Sequence, residues 1–289
     1  MNKLSQVVMR KVSSGPYRGM VIVDSSLDHF LQSDGEPGAL FHHSGSLLKS
    51  SSSSRSALVN PAPLSGNVGL NGLYVKEFHY KGAVHSLKHL FGKHRAQVMW
   101  QVSLHLLVNG IPVAKPEGYL LELRGPFCVK GWFVSRALQR CFTLGSRESH
   151  LEILTKGLAH GGLIEVLAAN VAAMHNSGVT HGDLKWTNIL INEKENQLWL
   201  TDLDASKIYR GRLGPKRIAR DLARFVLSGL EAGVEEAIME NFLDQYAGHR
   251  KLSRERIDGP TTRILKKLRD RHAKKYQDDY RRGIGRPSS

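Results

Sequence analysis

His181-Gly182-Asp183-Leu184-Lys185-Trp186-Thr187-Asn188 is followed, after a short apolar hairpin, by Thr201-Asp202-Leu203-Asp204. Together these pieces match the phosphoryl-transfer loop pattern H-x-D-L-x-x-x-N, with a further aspartate on the strand that follows. Each residue type has a physical reason. A phosphoryl group in transfer spreads charge over its oxygens, so the site needs metal ions held by hard oxygen ligands. Asn188 and Asp202 are spaced to supply them. Asp183 would orient the acceptor hydroxyl and take its proton, and Lys185 would neutralise charge growing on the phosphate. Each of these residues alone is common in turns, whereas the set at this spacing, between a capped helix and a hairpin, points to that chemistry. Asp204 stays open between a second metal-side carboxylate and a cap for the loop.

Outward from this loop, apolar residues recur at helical spacing over residues 163–175, and Asn176-Ser177-Gly178 closes that helix with glycine at the left-handed position. Ile189-Leu190-Ile191 and Leu198-Trp199-Leu200 flank a turn at residues 193–197 and read as a hairpin. A helix is also expected over residues 151–158, and residues 218–280 read as helical throughout. Upstream the pattern is β-like. Strands are expected at Leu40-Phe41-His42-His43, Ser46-Leu47-Leu48, Ala57-Leu58-Val59 and residues 72–78, then at residues 118–123 and 131–135. A Pro/Gly/Asn-rich loop occupies residues 60–71. A basic, His-rich helix is predicted from about residue 85 to Val108, ending at Asn109-Gly110. The order is a β-rich half with one helix, then a helical half with one hairpin, so the fold class expected is α+β and two-lobed.

The chain has 289 residues, with 41 Lys+Arg against 26 Asp+Glu, a formal net charge of +15. At 41% hydrophobic it carries enough apolar residues for a sizeable core, which excludes a wholly disordered or fibrous chain. No run of eighteen apolar residues exists to cross a membrane. No apolar segment follows Met1-Asn2-Lys3, so a secretory signal is not expected and residence in the cytosol is. Cys128 and Cys141 lack metal spacing and read as reduced thiols. The basic excess implies an anionic partner: nucleic acid, a phosphorylated small molecule or a membrane face.

Residues 181–188 and 201–207 resemble the protein-kinase-like superfamily, and within it the bacterial lipopolysaccharide core kinases that act on Kdo or heptose. Related small-molecule kinases and RIO-type kinases share the His-Gly-Asp opening, where typical protein kinases have His-Arg-Asp. The resemblance covers roughly residues 40–225 and is strongest in the catalytic segment. It implies a kinase-like fold with an antiparallel sheet and one helix in the first lobe, and a helical second lobe carrying the catalytic hairpin. It implies ATP and Mg2+ as cofactors, with Asp183 as base and Asn188 and Asp202 as metal ligands. Lys76, in Tyr74-Val75-Lys76, matches the strand lysine that grips the α- and β-phosphates. The segment from Lys49 to Arg55 falls where a glycine-rich phosphate loop belongs, so Ser52, Ser53, Ser54 and Arg55 would meet the nucleotide there. A serine run also suits a plain linker. One departure stands out: protein kinases pair the strand lysine with a glutamate on the next helix, and residues 81–116 contain no Asp or Glu at all. Gln97 is the nearest polar substitute on the helix, and Glu77 or Glu122 could serve from elsewhere.

Two features bear on the acceptor. Gly182 stands where many protein kinases carry the arginine that awaits an activating phosphate, which argues against that switch. Residues 202–221 are too short for a peptide-supporting segment and hold six cations, including Arg210, Arg212, Lys216 and Arg217. Guanidinium groups bind phosphate and carboxylate in bidentate fashion, so an acidic or phosphorylated saccharide, such as a lipopolysaccharide precursor, is the expected partner. Nucleic acid is not. The last forty residues hold 14 Lys+Arg and five Asp+Glu. They could lie on the cytosolic face of an anionic inner membrane, bind RNA or form a solvated, fraying helix, the last being the default. The expected divisions are an N-terminal extension at 1–38, a first lobe at 39–135, a second lobe at 136–248 and a basic helical tail at 249–289. The activity expected is ATP-dependent phosphorylation of a sugar hydroxyl of the lipopolysaccharide core. The alternatives are an atypical protein Ser/Thr kinase and a pseudokinase binding module.

Overall fold

The computed structural model describes residues 7–33, 35–59, 72–80, 93–145, 162–192 and 197–281. The chain divides into two compact units, Met1–Gln139 and Arg140–Ser289. In the first, the strands are β1 (Met9–Ser14), β2 (Tyr17–Ile22), β3 (Ser44–Ser50), β4 (Ser54–Val59), β5 (Leu73–His79), β6 (Pro116–Arg124) and β7 (Phe127–Arg136). Helix α1 (Ser26–Gln32) follows β2, and α2 (Arg95–Val108) lies between β5 and β6. The sheet is antiparallel, in the order β1-β2-β6-β7-β5-β4-β3.

The sheet is covered on both faces. On one, Val12, Val21, Leu27, Leu40, Phe41, Val75 and Trp132 form a core that includes α1. On the other, Phe78, Ala96, Met99, Trp100, Leu121 and Phe133 pack with α2. A strand buried on both sides loses its alternation and reads as a continuous run. That is the case for β5, where Leu73, Val75, Lys76, Glu77 and Phe78 are all buried.

Two expectations are corrected here, and a third gains detail. The extension expected at 1–38 holds, in its described residues, part of the fold: β1 and β2 form a hairpin that pairs with β6 and lengthens the sheet. The hairpin was hidden because β1 buries only Val12 of its six residues. It is nevertheless fixed by Arg10, which pairs with the buried Asp28 of α1. Leu40-Phe41-His42-His43 is not a strand but the end of a 3-10 turn, Pro37–His43, whose Leu40 and Phe41 fill the core. Helix α2 begins at Arg95 rather than near residue 85, because His94 is its extended N-cap at φ −71 and ψ 149. Residues 85–92 of that predicted helix, the loop at 60–71 and the helix predicted at 151–158 lie outside the described residues. The end of α2 is as predicted, with Gly110 left-handed at φ +72 after Asn109.

The second unit holds β8 (Phe142–Thr143), α3 (Gly162–Asn176), β9 (Val179–Thr180), β10 (Ile189–Asn192), β11 (Gln197–Leu200) and β12 (Lys207–Ile208). Helices α4 (Pro215–Glu231), α5 (Glu236–Arg250) and α6 (Glu255–Arg281) complete it. The predicted hairpin is β10–β11, with Ile189 opposite Leu200. Gly178 closes α3 at φ +82, and a Cβ there would meet the Tyr209 carbonyl oxygen at 2.8 Å, so glycine is required. The tail is not a fraying helix over its described length. Ile257, Thr261, Ile264, Leu265, Leu268 and His272 recur at three- and four-residue intervals on its less exposed side, and α6 packs along α4.

Candidate active site

The loop at 181–188 is held by its backbone. His181 N–H donates to Asp221 Oδ2 at 2.7 Å and Gly182 N–H to Oδ1 at 2.9 Å, so one carboxylate on α4 fixes two successive amides. Gly182 has φ +81, and a Cβ there would run into the Ala205 carbonyl oxygen. Neither the backbone nor the space admits an arginine. Ser206 Oγ donates to His181 O at 2.9 Å, and β12 pairs with β9, so the segment after Asp202 is sewn to the strand before the loop.

His181 is fully buried, and burial outweighs the pull of Asp221, Asp202 and Asp183 to hold its pKa below the ordinary histidine value. The ring is therefore neutral. Its Nε2 lies 3.0 Å from the Thr201 carbonyl, which only accepts, so Nε2 carries the proton. Thr201 in turn donates both its N–H, at 2.9 Å, and its Oγ1, at 3.0 Å, to Asn188 O. The histidine thus joins the loop to the residue before Asp202.

On this frame Asp183, Lys185 and Asn188 come together. Lys185 Nζ sits 2.9 Å from Asp183 Oδ2, both side chains being partly exposed. Asn188 Nδ2 donates to Asp183 O at 3.0 Å and reaches toward Asp183 Oδ2 at 3.4 Å, leaving its amide oxygen as the acceptor it can offer. Asp202 takes the left-handed backbone at φ 59 and ψ 51, which aspartate tolerates better than most residues. Its carboxylate is not spent on capping the Leu203–Ala205 turn that it precedes. The residues suit a hard cation such as Mg2+: one amide oxygen and one carboxylate. Among the described residues no group of three or more His, Cys, Asp or Glu makes a closed cage. A cation here would complete its shell from water and phosphate.

In the first unit, Lys76 is 8% exposed on the α2 side of β5, its Nζ 5.2 Å from the Phe78 ring centre. Glu77, next along the strand, lies on the opposite face, where Arg55 Nε (2.9 Å), Arg55 Nη2 (3.2 Å), His79 and Trp132 Nε1 (2.8 Å) surround it. Burial raises its pKa, but the bonds from Arg55 and His79 and the charges of Arg55 and Lys130 prevail and hold it below the usual value. Neither substitute suggested for the missing glutamate is set toward Lys76: Glu77 faces away, and Glu122 on β6 pairs with Arg124 at 3.6 Å. Gln97 of α2 is hydrogen-bonded to Tyr119.

The serine run is a tight turn rather than a linker. Ser51 N–H donates to Ser54 O at 2.8 Å, Ser54 N–H to Ser51 Oγ at 3.2 Å, and His79 N–H to Ser53 O at 2.9 Å. Ser52 and Ser53 are exposed at its tip. Arg55 does not join them, since it is paired with Glu77 and lies over the Phe41 ring at 4.1 Å. Arg210, Arg212, Lys216 and Arg217 are exposed before and on the first turn of α4, and the Arg217 guanidinium stacks on Tyr209 at 4.2 Å.

Asp221 belongs to none of the motifs quoted from the sequence. In the structure it is the anchor of the site, and behind it His175 bonds both Asp221 Oδ2 (3.3 Å) and Tyr246 (2.7 Å). Burial raises the Asp221 pKa, while His175, His181 and the bound amides prevail and keep it below its ordinary value. The available signal was an aspartate on the apolar stripe of a helix, amid Ile218, Leu222 and Phe225.

Comparison with known proteins gives the fold and the family. No curated protein sequence matches the chain. Among solved structures, "WaaP in complex with acyl carrier protein" is similar at 18% identity and a TM-score of 0.58, over 88% of this chain and 98% of that one. "Crystal structure of Toxoplasma gondii specific rhoptry antigen kinase domain" is similar at 13% identity and a TM-score of 0.39, over 79% of this chain and 81% of that one. The likeness to the WaaP structure shows the fold. The description "Lipopolysaccharide kinase (Kdo/WaaP) family" matches residues 42–246, well over half of the 289. The chain therefore belongs to the lipopolysaccharide kinase (Kdo/WaaP) family, phosphotransferases that act on a sugar hydroxyl.

Proposed function

We propose that this lipopolysaccharide core kinase transfers the γ-phosphoryl group of Mg-ATP to a hydroxyl of a Kdo or heptose residue. The observation that carries the reading is the fixed group of Asp183, Lys185 and Asn188, with Asp202 tied to it through His181 and Thr201. Bound Mg2+ would neutralise charge on the phosphate oxygens, with Asn188 and Asp202 as its protein ligands. Asp183 accepts the acceptor's hydroxyl proton as the oxygen–phosphorus bond forms and the bond to the β-phosphate oxygen breaks, releasing ADP. Lys185 keeps the Asp183 carboxylate in place and offers a cation to the transferring group. Lys76 and the tip of the serine turn are assigned to the nucleotide phosphates. Arg55 is left out of that set because Glu77 engages it.

The exposed run Arg210, Arg212, Lys216 and Arg217 is assigned to the anionic saccharide, which its charge and bidentate geometry suit. Among the described residues no helix is long and apolar enough to cross a membrane. Exposed cations Arg263, Lys266, Lys267, Arg269, Arg271 and Lys274 of α6 support a peripheral contact with the cytosolic face of the inner membrane, where a lipid-borne acceptor would be met. A second reading, a module that binds nucleotide without turnover, draws on the acid-free helix α2.

The test is Asp183→Asn, which removes the base but keeps the shape. ADP formation with a core-saccharide acceptor should fall at least a hundredfold while thermal unfolding is unchanged. Near-normal turnover in that variant contradicts the assignment, and binding of Mg-ATP by the unaltered chain with no ADP formed under any acceptor favours the second reading.

A further inference from the structure

Trp186 stands in the catalytic loop between Lys185 and Asn188, yet it is only 1% exposed. It opens the 3-10 turn Trp186–Asn188, in which Asn188 N–H donates to Lys185 O at 2.9 Å. The first amides of such a turn have no partner inside it and need one from elsewhere. A side-chain oxygen at the N-cap position ordinarily helps to supply it. Here the N-cap residue is Lys185, whose ammonium only donates and lies beside Asp183. The turn cannot cap itself.

The missing acceptor comes from α4. Ser228 Oγ accepts from Trp186 N–H at 3.1 Å and donates its own proton to Phe225 O at 3.0 Å, so one hydroxyl serves both bonds. Ser228 lies two helical turns beyond Asp221 on the same side of α4, with Phe225 between them. The Phe225 ring stacks on the Trp186 indole, centres 5.4 Å apart and planes 19° apart, and Phe242 of α5 backs it at 4.3 Å. Gly229 leaves the indole its space: a Cβ there would come within 2.6 Å of Trp186 Nε1 and 2.8 Å of Met239 Sδ. Glycine weakens a helix, so its place here is explained by what it admits. One side of α4 thus grips the loop at both ends, Asp221 at His181 and Gly182, and Ser228 at Trp186.

We propose that Ser228 is a positioning residue for phosphoryl transfer: by capping the turn from α4 it sets the backbone between Lys185 and Asn188 and leaves the Lys185 side chain to Asp183. This rests on the reading of Asp183, Lys185 and Asn188 as the transfer site. The effect of Ser228 travels through the Trp186 amide, so loss of the hydroxyl misplaces the groups on either side without removing any of them.

Amide hydrogen exchange on the full chain and steady-state kinetics with Mg-ATP and a core oligosaccharide test it. In Ser228→Ala the Trp186 amide should exchange roughly tenfold faster or more, while those of His181 and Gly182, held by Asp221, keep their rates. The kcat should fall about tenfold with both KM values nearly unchanged, the mark of groups misplaced in the transition state. Ser228→Thr, which keeps the hydroxyl, should restore most of both. Ser228→Cys, which fills the site but accepts only weakly, should not; a merely space-filling serine would give the opposite order. Ile257→Ala, which loosens the same unit at α6, should leave kcat unchanged wherever that variant is folded. The threonine and cysteine variants decide alone if Ser228→Ala does not fold. Wild-type exchange at Trp186 or wild-type kcat in Ser228→Ala, full activity in Ser228→Cys, or an equal kcat loss in Ile257→Ala overturns the proposal while the kinase reading stands. No ADP formation by the unaltered chain with any core oligosaccharide overturns both.

Discussion

A single carboxylate does more for the catalytic loop than any residue named by its motif. Asp221 accepts from two consecutive amides and from His175, all buried. Removing it strands three donors, and leaving buried polar groups unpaired is what makes such changes costly. Asp221→Ala should lower unfolding free energy by about 3 kcal/mol or more and depress kcat, because the backbone that aims Asp183 is released. Asp221→Asn, which keeps an acceptor oxygen, should recover part of both. Since its folded pKa lies below the unfolded value of 3.8, the stability it contributes is present above that pH and is lost as pH falls through the folded value. Chemical denaturation across pH 2–6 checks this: equal acid sensitivity in wild type and Asp221→Ala would rule it out. Asp183, Lys185 and Asn188, which the structure brings together, stand out in the sequence because transfer chemistry demands residue types at fixed spacing. Asp221 does not, because what it binds is backbone forty residues away in sequence, which no local pattern records.

At the scale of elements, legibility followed periodicity. Helix α3, the β10–β11 hairpin and the ends at Gly110 and Gly178 were read correctly, since each has its own apolar spacing and its own terminating glycine. Strand β1 and the 3-10 turn at Pro37–His43 failed because one buried valine, or two core residues on a turn, carry no period. Helix α6 was misjudged for a related reason: its cations outnumber its apolar residues, yet a narrow stripe suffices to dock it on α4. Ile257, buried to 3% exposure, is the test of that docking. Ile257→Ala should cost about 2–4 kcal/mol, whereas Lys266→Ala and Lys267→Ala, on the solvent side, should each stay within about 0.5 kcal/mol. Equal, small effects from all three would mean that α6 is not part of the fold.

For the whole molecule, the net charge of +15 resolves into places rather than a uniform surface. One group of cations precedes and opens α4, beside the loop that follows Asp202; another lines the exposed side of α6. Four carboxylates, by contrast, those of Asp28, Glu77, Glu117 and Asp221, are buried. A chain built this way is suited to an anionic acceptor and an anionic surface, and its family membership makes that acceptor a lipopolysaccharide sugar. The central claim is that this chain adds a phosphate to the core. Mass analysis of core oligosaccharide from cells carrying the intact chain or its Asp183→Asn variant tests it most directly. The account predicts that the variant's core lacks one phosphate and is otherwise unchanged; cores of identical phosphate content from both would contradict it.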